Sequence, residues 1–196
     1  MNFRFEKDIV LENDVICLMP VAKQDTENLS AAAASDRRLL QYSPKQVYTQ
    51  EMLTAYVDAA IMLREAEIRY SFSIFSKTQG RYAGSTAFLN ISNADDRLEI
   101  GATWLGKEFQ GTGMNRQCKY LMLEFAFDQL HANRVEFKTD ERNIQSRKAI
   151  EKLGAKYEGT LREHMLVQDG FRRNTFCYSI LKHEWAGIET MLLNDI

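Results

Sequence analysis

The chain has 196 residues and a mass of 22.7 kDa, enough for one domain with a sizeable core and short for two. Its net charge is −2, with Lys and Arg interspersed among Asp and Glu, which argues against nucleic acid or an anionic membrane as the main partner and for a small molecule or a protein. Three separated cysteines, Cys17, Cys118 and Cys177, show no metal-ligand spacing and read as buried reduced thiols of a cytoplasmic protein, and no run of about eighteen apolar residues offers a membrane span.

The first element is an apolar run over 15–21, a strand with Pro20 near its exit. Helix formers fill 24–34, and beyond Pro44 a second helical segment, 49–66, carries Leu53, Tyr56, Val57, Ala60, Ile61 and Leu63 at helical spacing. The period then drops to two. Tyr70, Phe72 and Ile74 alternate with Ser71, Ser73 and Phe75, a turn at Thr78-Gln79-Gly80 follows, and 82–91 completes a hairpin. After a polar turn at 93–96 comes a strand over 98–105, with Leu98, Ile100, Ala102 and Trp104 expected on one face and Glu99, Gly101, Thr103 and Leu105 on the other.

A short turn over 106–110 leads into Gly111-Thr112-Gly113, after which Met114, Cys118, Leu121, Met122, Phe125 and Ala126 mark one face of a helix reaching about residue 130. The first N–H groups of a helix have no intrahelical partner, glycines allow close approach, and the helix dipole favours negative charge. Residues 110–115 are therefore a candidate phosphate site, with a plain tight turn as the alternative reading. The loop lacks the Gly-Lys-Ser/Thr ending of a P-loop and the spacing of the dinucleotide fingerprint. A strand over 134–140 follows, parallel to or splayed from the one before the loop, and then a short helix over 143–153 with Ile144, Ala149, Ile150 and Leu153 inward, stopped by Gly154. Strands over 157–167 and 172–181 flank the turn Gln168-Asp169-Gly170, and 184–196 continues as a helix or frays.

This order of elements resembles the Gcn5-related N-acetyltransferase fold. The family signature, Q/R-x-x-G-x-G/A, is matched by Gln110-Gly111-Thr112-Gly113-Met114-Asn115, with Asn115 in the last place. The segment from Thr139-Asp140-Glu141-Arg142-Asn143 through Ser146 to Leu153-Gly154-Ala155 is similar to the motif of the branch that acetylates ribosomal-protein N-termini. So are Leu161-Arg162-Glu163-His164-Met165, Asp169-Gly170 and Tyr178-Ser179-Ile180-Leu181. The resemblance spans about residues 9–185. It implies an α/β fold in one domain over 1–196: a mixed sheet of about seven strands, splayed between the fourth and fifth, with about four helices.

It further implies acetyl-coenzyme A as cosubstrate, no metal, direct transfer of acetyl to a primary amine (a protein N-terminus or a small molecule), and a possible homodimer. Transfer of a longer acyl group, or an acyl-coenzyme A binding module without turnover, are the alternatives. The cofactor residues would be Gln110, Gly111, Thr112, Gly113, Met114 and Asn115 at the pyrophosphate, the backbone of Thr103, Trp104 and Leu105 along the pantetheine arm, and Asn143 and Ser146 beyond it. Asn143 equally fits a helix cap, and Trp104 core packing. Ser146 would donate to the leaving thiolate, with a solvated helix serine as the alternative. For proton transfer the candidates are Glu99, with an ion pair across the sheet as its alternative, and either Glu163 or His164, which lie on opposite faces of their strand. Tyr178 could reach the thiol or belong to the core. Met165 occupies the position where the ribosomal-protein enzymes carry a catalytic glutamate. Arg37, Arg38, Tyr42, Tyr48, Arg172 and Arg173 are candidates for acceptor selection.

Overall fold

The computed structural model describes residues 1–194; Asp195 and Ile196, the end of the expected C-terminal helix, lie outside the described residues. In chain order the elements are β1 (Leu11–Glu12), β2 (Ile16–Pro20), α1 (Asp25–Asn28), α2 (Ser30–Ala34), α3 (Gln50–Glu65), β3 (Arg69–Ser76), β4 (Arg81–Ser92), β5 (Arg97–Leu105), α4 (Met114–Glu124), β6 (Arg134–Asp140), α5 (Ile144–Lys152), β7 (Lys156–Leu166), β8 (Arg172–Leu181) and α6 (Lys182–Asn194). The strands form one sheet in the order β1-β2-β3-β4-β5-β6-β8-β7, antiparallel except between β5 and β6. Among the described residues, eight strands replace the expected seven because β1 is a two-residue addition, and six helices replace four because 24–34 divides at Leu29 into two short ones and the C-terminal segment forms α6. There Ser30 Oγ donates to the Glu27 carbonyl, competing locally with helix continuation.

Helix α3 starts where Thr49 Oγ1 accepts from the Met52 N–H, with Glu51 in its first turn and Arg64 in its last, as the helix dipole favours. It buries Leu53, Tyr56, Val57 and Ala60 with Leu29, Ala32, Ala33 and Trp104, a core on one face of the sheet. The opposite face packs Leu98, Ile100, Leu105, Val135 and Phe137 against Cys118, Leu121 and Met122 of α4, Ile150 of α5 and Trp185 of α6. Helix α4 widens into a π turn over Phe125–Gln129. Two expectations for the core need correction: Ile144 is exposed, at the outer start of α5, and Cys177 is only partly buried.

Two bulges shape β4 and β5. Thr86 of β4 faces both Ala102 and Thr103, the extra residue being taken up by Ala102 at φ +49°. Nearer the other end, Asn90 takes up an extra residue in β4 at φ +47°. The two strands press together beside the first bulge: a Cβ added to Gly84 would stand 2.0 Å from the Trp104 carbonyl oxygen. Gly84→Ala is therefore expected to cost about 2 kcal/mol or more, since rigid backbone must move. Gly80→Ala, at φ +63° with open space around it, is expected to cost only about 1 kcal/mol. Equal losses in a denaturation comparison would overturn this account of the contact.

Candidate active site

β5 and β6 begin as parallel neighbours, pairing Arg97 with Arg134, Leu98 with Val135 and Glu99 with Glu136, and then part. The separation starts at Ile100, so the β6-side edge of β5 is unpaired over most of its length. A cavity of about 430 Å³ occupies the gap. Its walls include residues 99–105 of β5, Gln110, Gly111 and Asn115 of the glycine loop, Lys119 of α4, 137–140 of β6, Asn143 and Ser146 of α5, and Leu39, Leu40, Tyr42, Met165 and Arg173 at its outer end.

The bulge at Ala102 inverts the expected faces of β5. Thr103 joins Leu98, Ile100 and Leu105 on the α4 side, where its hydroxyl meets Thr86 Oγ1 at 2.8 Å and Lys119, while Trp104 crosses to the α1–α3 side. There the Trp104 ring is buried edge-on to Tyr56, with its indole N–H unpartnered among the described residues. One strand thus offers side chains to different faces before and after Ala102.

The glycine loop is shaped by Gly111 at φ +77° and Gly113 at φ +88°, the left-handed region where glycine carries no Cβ penalty. Gln110 Nε2 donates to the Leu105 carbonyl and Thr112 Oγ1 to that of Phe109, tying the loop to the turn before it. The Gly113 carbonyl accepts from the N–H groups of Arg116 and Gln117. Among the described residues, the N–H groups of 111–115 have no acceptor, so five successive donors stand open at the start of α4, of which Gly111 and Asn115 line the cavity.

Asn143 caps α5: its Oδ1 accepts from the Ser146 N–H at 3.0 Å, and its amide nitrogen takes no part in the cap. Both Asn143 and Ser146 line the cavity. Glu99 is 7% exposed and its Oε2 accepts from Asn90 Nδ2 and Lys138 Nζ, each at 2.7 Å. Lys138 also donates to Glu136. Burial works to lower the Lys138 pKa, but the bonds and charges of Glu99 and Glu136 outweigh it and hold the ammonium above its ordinary value. Glu99 thus forms the expected ion pair across the sheet and also lines the cavity. Its Oε1 has no hydrogen-bond partner among the described residues and stands beside Gly101, 3.3 Å from where a Cβ there would be.

Three expected site residues fall elsewhere. Tyr178 is 1% exposed and its hydroxyl donates to Glu151 Oε1, which makes it core. Two extra residues in β7 between Leu161 and Met165 put Glu163 at φ +48° on the surface, while exposed His164 shares a hydrogen bond with Thr175 Oγ1; neither lines the cavity, and Met165 does. Thr112, Gly113 and Met114 belong to the loop without lining the cavity, and of the acceptor-side candidates only Tyr42 and Arg173 line it. Arg37 lies over the Tyr48 ring and Arg38 pairs with Asp36.

Missed from the sequence are Asn90, Lys138 and Lys119. Lys119 is 5% exposed and donates to Thr103 Oγ1 at 2.5 Å and Thr86 Oγ1 at 3.4 Å, with no carboxylate partner among the described residues. Burial pushes its pKa down to about 8. The available signal was position: Lys119 follows Asn115 of the glycine loop by four residues, one turn along α4 on the same face.

Residues 16–156 match the family model described as an acetyltransferase (GNAT) domain, so the chain belongs to the GNAT acetyltransferase family. It is similar to YdaF of Bacillus subtilis, provisionally named a ribosomal N-acetyltransferase, with 32% identity over 108 residues, 55% of this chain and 58% of YdaF. The match therefore spans less than two thirds of that curated relative. A provisionally assigned acetyltransferase from T. thermophilus superposes with a TM-score of 0.85 at 31% identity, covering 95% of this chain and 96% of that one. A GCN5-related N-acetyltransferase from Brucella melitensis shares the fold with a TM-score of 0.89 at 24% identity, covering 97% of this chain and 86% of that one.

Removing the Lys119 charge is expected to stabilise the protein. The two threonine hydroxyls remain bonded to each other, and methionine fits the methylene path. Because the folded pKa lies below the ordinary 10.5, folding disfavours the charged lysine; the penalty is complete below about pH 8 and fades as pH rises toward 10.5. Lys119→Met should therefore raise Tm by a few degrees at pH 7, on the scale of roughly 2–4 °C per kcal/mol, with a smaller gain at pH 9.5. A lower Tm at pH 7 would mean that the ammonium stabilises the fold.

Proposed function

We propose that the cleft binds acetyl-coenzyme A and that the protein transfers its acetyl group to an amine in a ternary complex. The observation that carries this reading is the continuity of the five open N–H groups of 111–115 with the unpaired edge of β5. The first suits a pyrophosphate, which a helix N-terminus attracts through oriented N–H groups and dipole. The second suits an extended amide-bearing arm, held as an added strand by Thr103, Trp104 and Leu105 backbone groups. Bound acetyl-coenzyme A supplies an activated thioester; the chain's own groups hold it and manage the protons. The amide nitrogen of Asn143 is available to the arm, and Ser146 Oγ is the donor for the departing thiolate. Asp140, the other carboxylate on the cavity wall, is locked to Arg142 through Nε and Nη2, which leaves Glu99 as the carboxylate that can take a proton from the amine through Oε1. The name carried by YdaF brings protein N-termini into consideration beside small amines.

Calorimetry should detect acetyl-coenzyme A binding. Gly113→Asp is expected to weaken it at least tenfold, because aspartate tolerates the left-handed conformation yet sets an anion among the open N–H groups. Unchanged affinity would overturn the placement. Release of free coenzyme A across a panel of amines tests transfer, and Ser146→Ala should lower kcat partially, about tenfold, with little change in acetyl-coenzyme A affinity; full activity would remove Ser146 from the reaction.

A further inference from the structure

Arg173 lines the cleft and, among the described residues, forms no salt bridge. It lies at the start of β8, half-buried, and its Nε donates to Thr175 Oγ1 at 3.0 Å and its Nη1 to the Tyr42 carbonyl at 3.2 Å, both neutral oxygens. Among the described residues it forms no ion pair, whereas the neighbouring cations do: Arg142 with Asp140, Lys138 with Glu99 and Glu136, and Arg134 with Glu136 and Glu158. Asp140 and Glu99 are close enough for their fields to reach Arg173, but each is already bonded to another cation, and burial lowers the Arg173 pKa despite them. A guanidinium does not escape burial by losing its proton, so its charge persists where water is partly excluded.

The position of Arg173 gives this charge a use. Glu99, Trp104 and Arg173 open on the side of the gap covered by the segment from α1 to α3, opposite the glycine-loop helix α4. Leu39, Leu40 and Met165 supply apolar walls between, and the hydrogen bond from Arg173 to Tyr42 draws the segment before α3 across the outer end. On that side a polycationic acceptor would meet the charge of Arg173, which repels it, whereas Lys138 is neutralised by Glu99 and Glu136.

We infer that Arg173 binds a carboxylate carried by the acceptor, so that the substrate is a free amino acid, with its acid group at Arg173 and its amine toward Glu99. This rests on the acetyl-transfer reading above, but it is testable without turnover. A guanidinium meets a carboxylate through parallel charge-assisted bonds that an amide cannot reproduce.

The experiment is a calorimetric titration with N-acetyl derivatives of alanine, serine, methionine, phenylalanine and glutamate, each beside its carboxamide, which mimics a continuing peptide chain. At least one free acid should bind ten times tighter than its carboxamide. Arg173→Gln should reduce that preference below twofold with acetyl-coenzyme A affinity and Tm unchanged, and Arg173→Lys should restore part of it. Equal binding of acid and carboxamide, binding of neither, or a preference that survives Arg173→Gln would overturn the inference. If Arg173→Gln does not fold, the wild-type acid-to-carboxamide ratio and the Arg173→Lys variant still decide it. Loss of acetyl-coenzyme A binding in the wild type would strike the transfer reading instead, so the two failures are told apart.

Discussion

Everything in the site follows from a short partnership. β5 and β6 share three residue pairs and then diverge, β5 held by β4 and β6 held by β8. Backbone groups that a continuous sheet would consume are left to a cavity, and the sheet between its two cores becomes a wall with an opening in it. The bulge at Ala102 acts at the same place. By adding one residue opposite Thr86 it turns Thr103 toward α4 and Trp104 toward α3, so the strand that borders the opening is anchored in both cores.

Polar groups around this opening are handled in two ways. Asn90, Glu99, Glu136, Lys138 and Arg134 form a chain of alternating charge in which each burial penalty is met by a neighbour. Among the described residues, Lys119 and Arg173 are met only by hydroxyl and carbonyl oxygens. A fold selected for stability alone would pair or remove such cations, and keeping them beside a cavity is what a site that receives an anionic or strongly polar ligand requires.

Much of this was legible in the sequence because the local signals agree. Alternation in 70–76 and 134–140, the capping asparagine before α5, and glycines at positions of positive φ all indicate the elements that form, and the ordered motifs from Gln110 to Ile180 point to the family. What was hidden is parity. Ala102 and Asn90 bear no mark of a bulge, yet each shifts the alternation of its own strand by one, and the shift at Ala102 is why Trp104 and Thr103 exchange faces. The two extra residues of β7 likewise carry Glu163 and His164 away from the cavity and leave Met165 on its wall. Tyr178 was ambiguous for another reason: a buried phenol and a catalytic one look alike until Glu151 is seen to accept its hydrogen bond.

The irregularity of β7 also bears on how the border of the sheet is protected. This strand is one border of the sheet, is exposed along most of its length, and carries Tyr157, Leu161 and Leu166 in the open. A straight border of that composition would be a template for strands of other molecules. With the ladder broken between Leu161 and Met165, a left-handed Glu163 in the break and Arg162 beside it, no long run of free amide groups is presented, while the opposite border is the two-residue β1. The same distortion that sets Met165 against the cavity thus works against edge-to-edge association and aggregation.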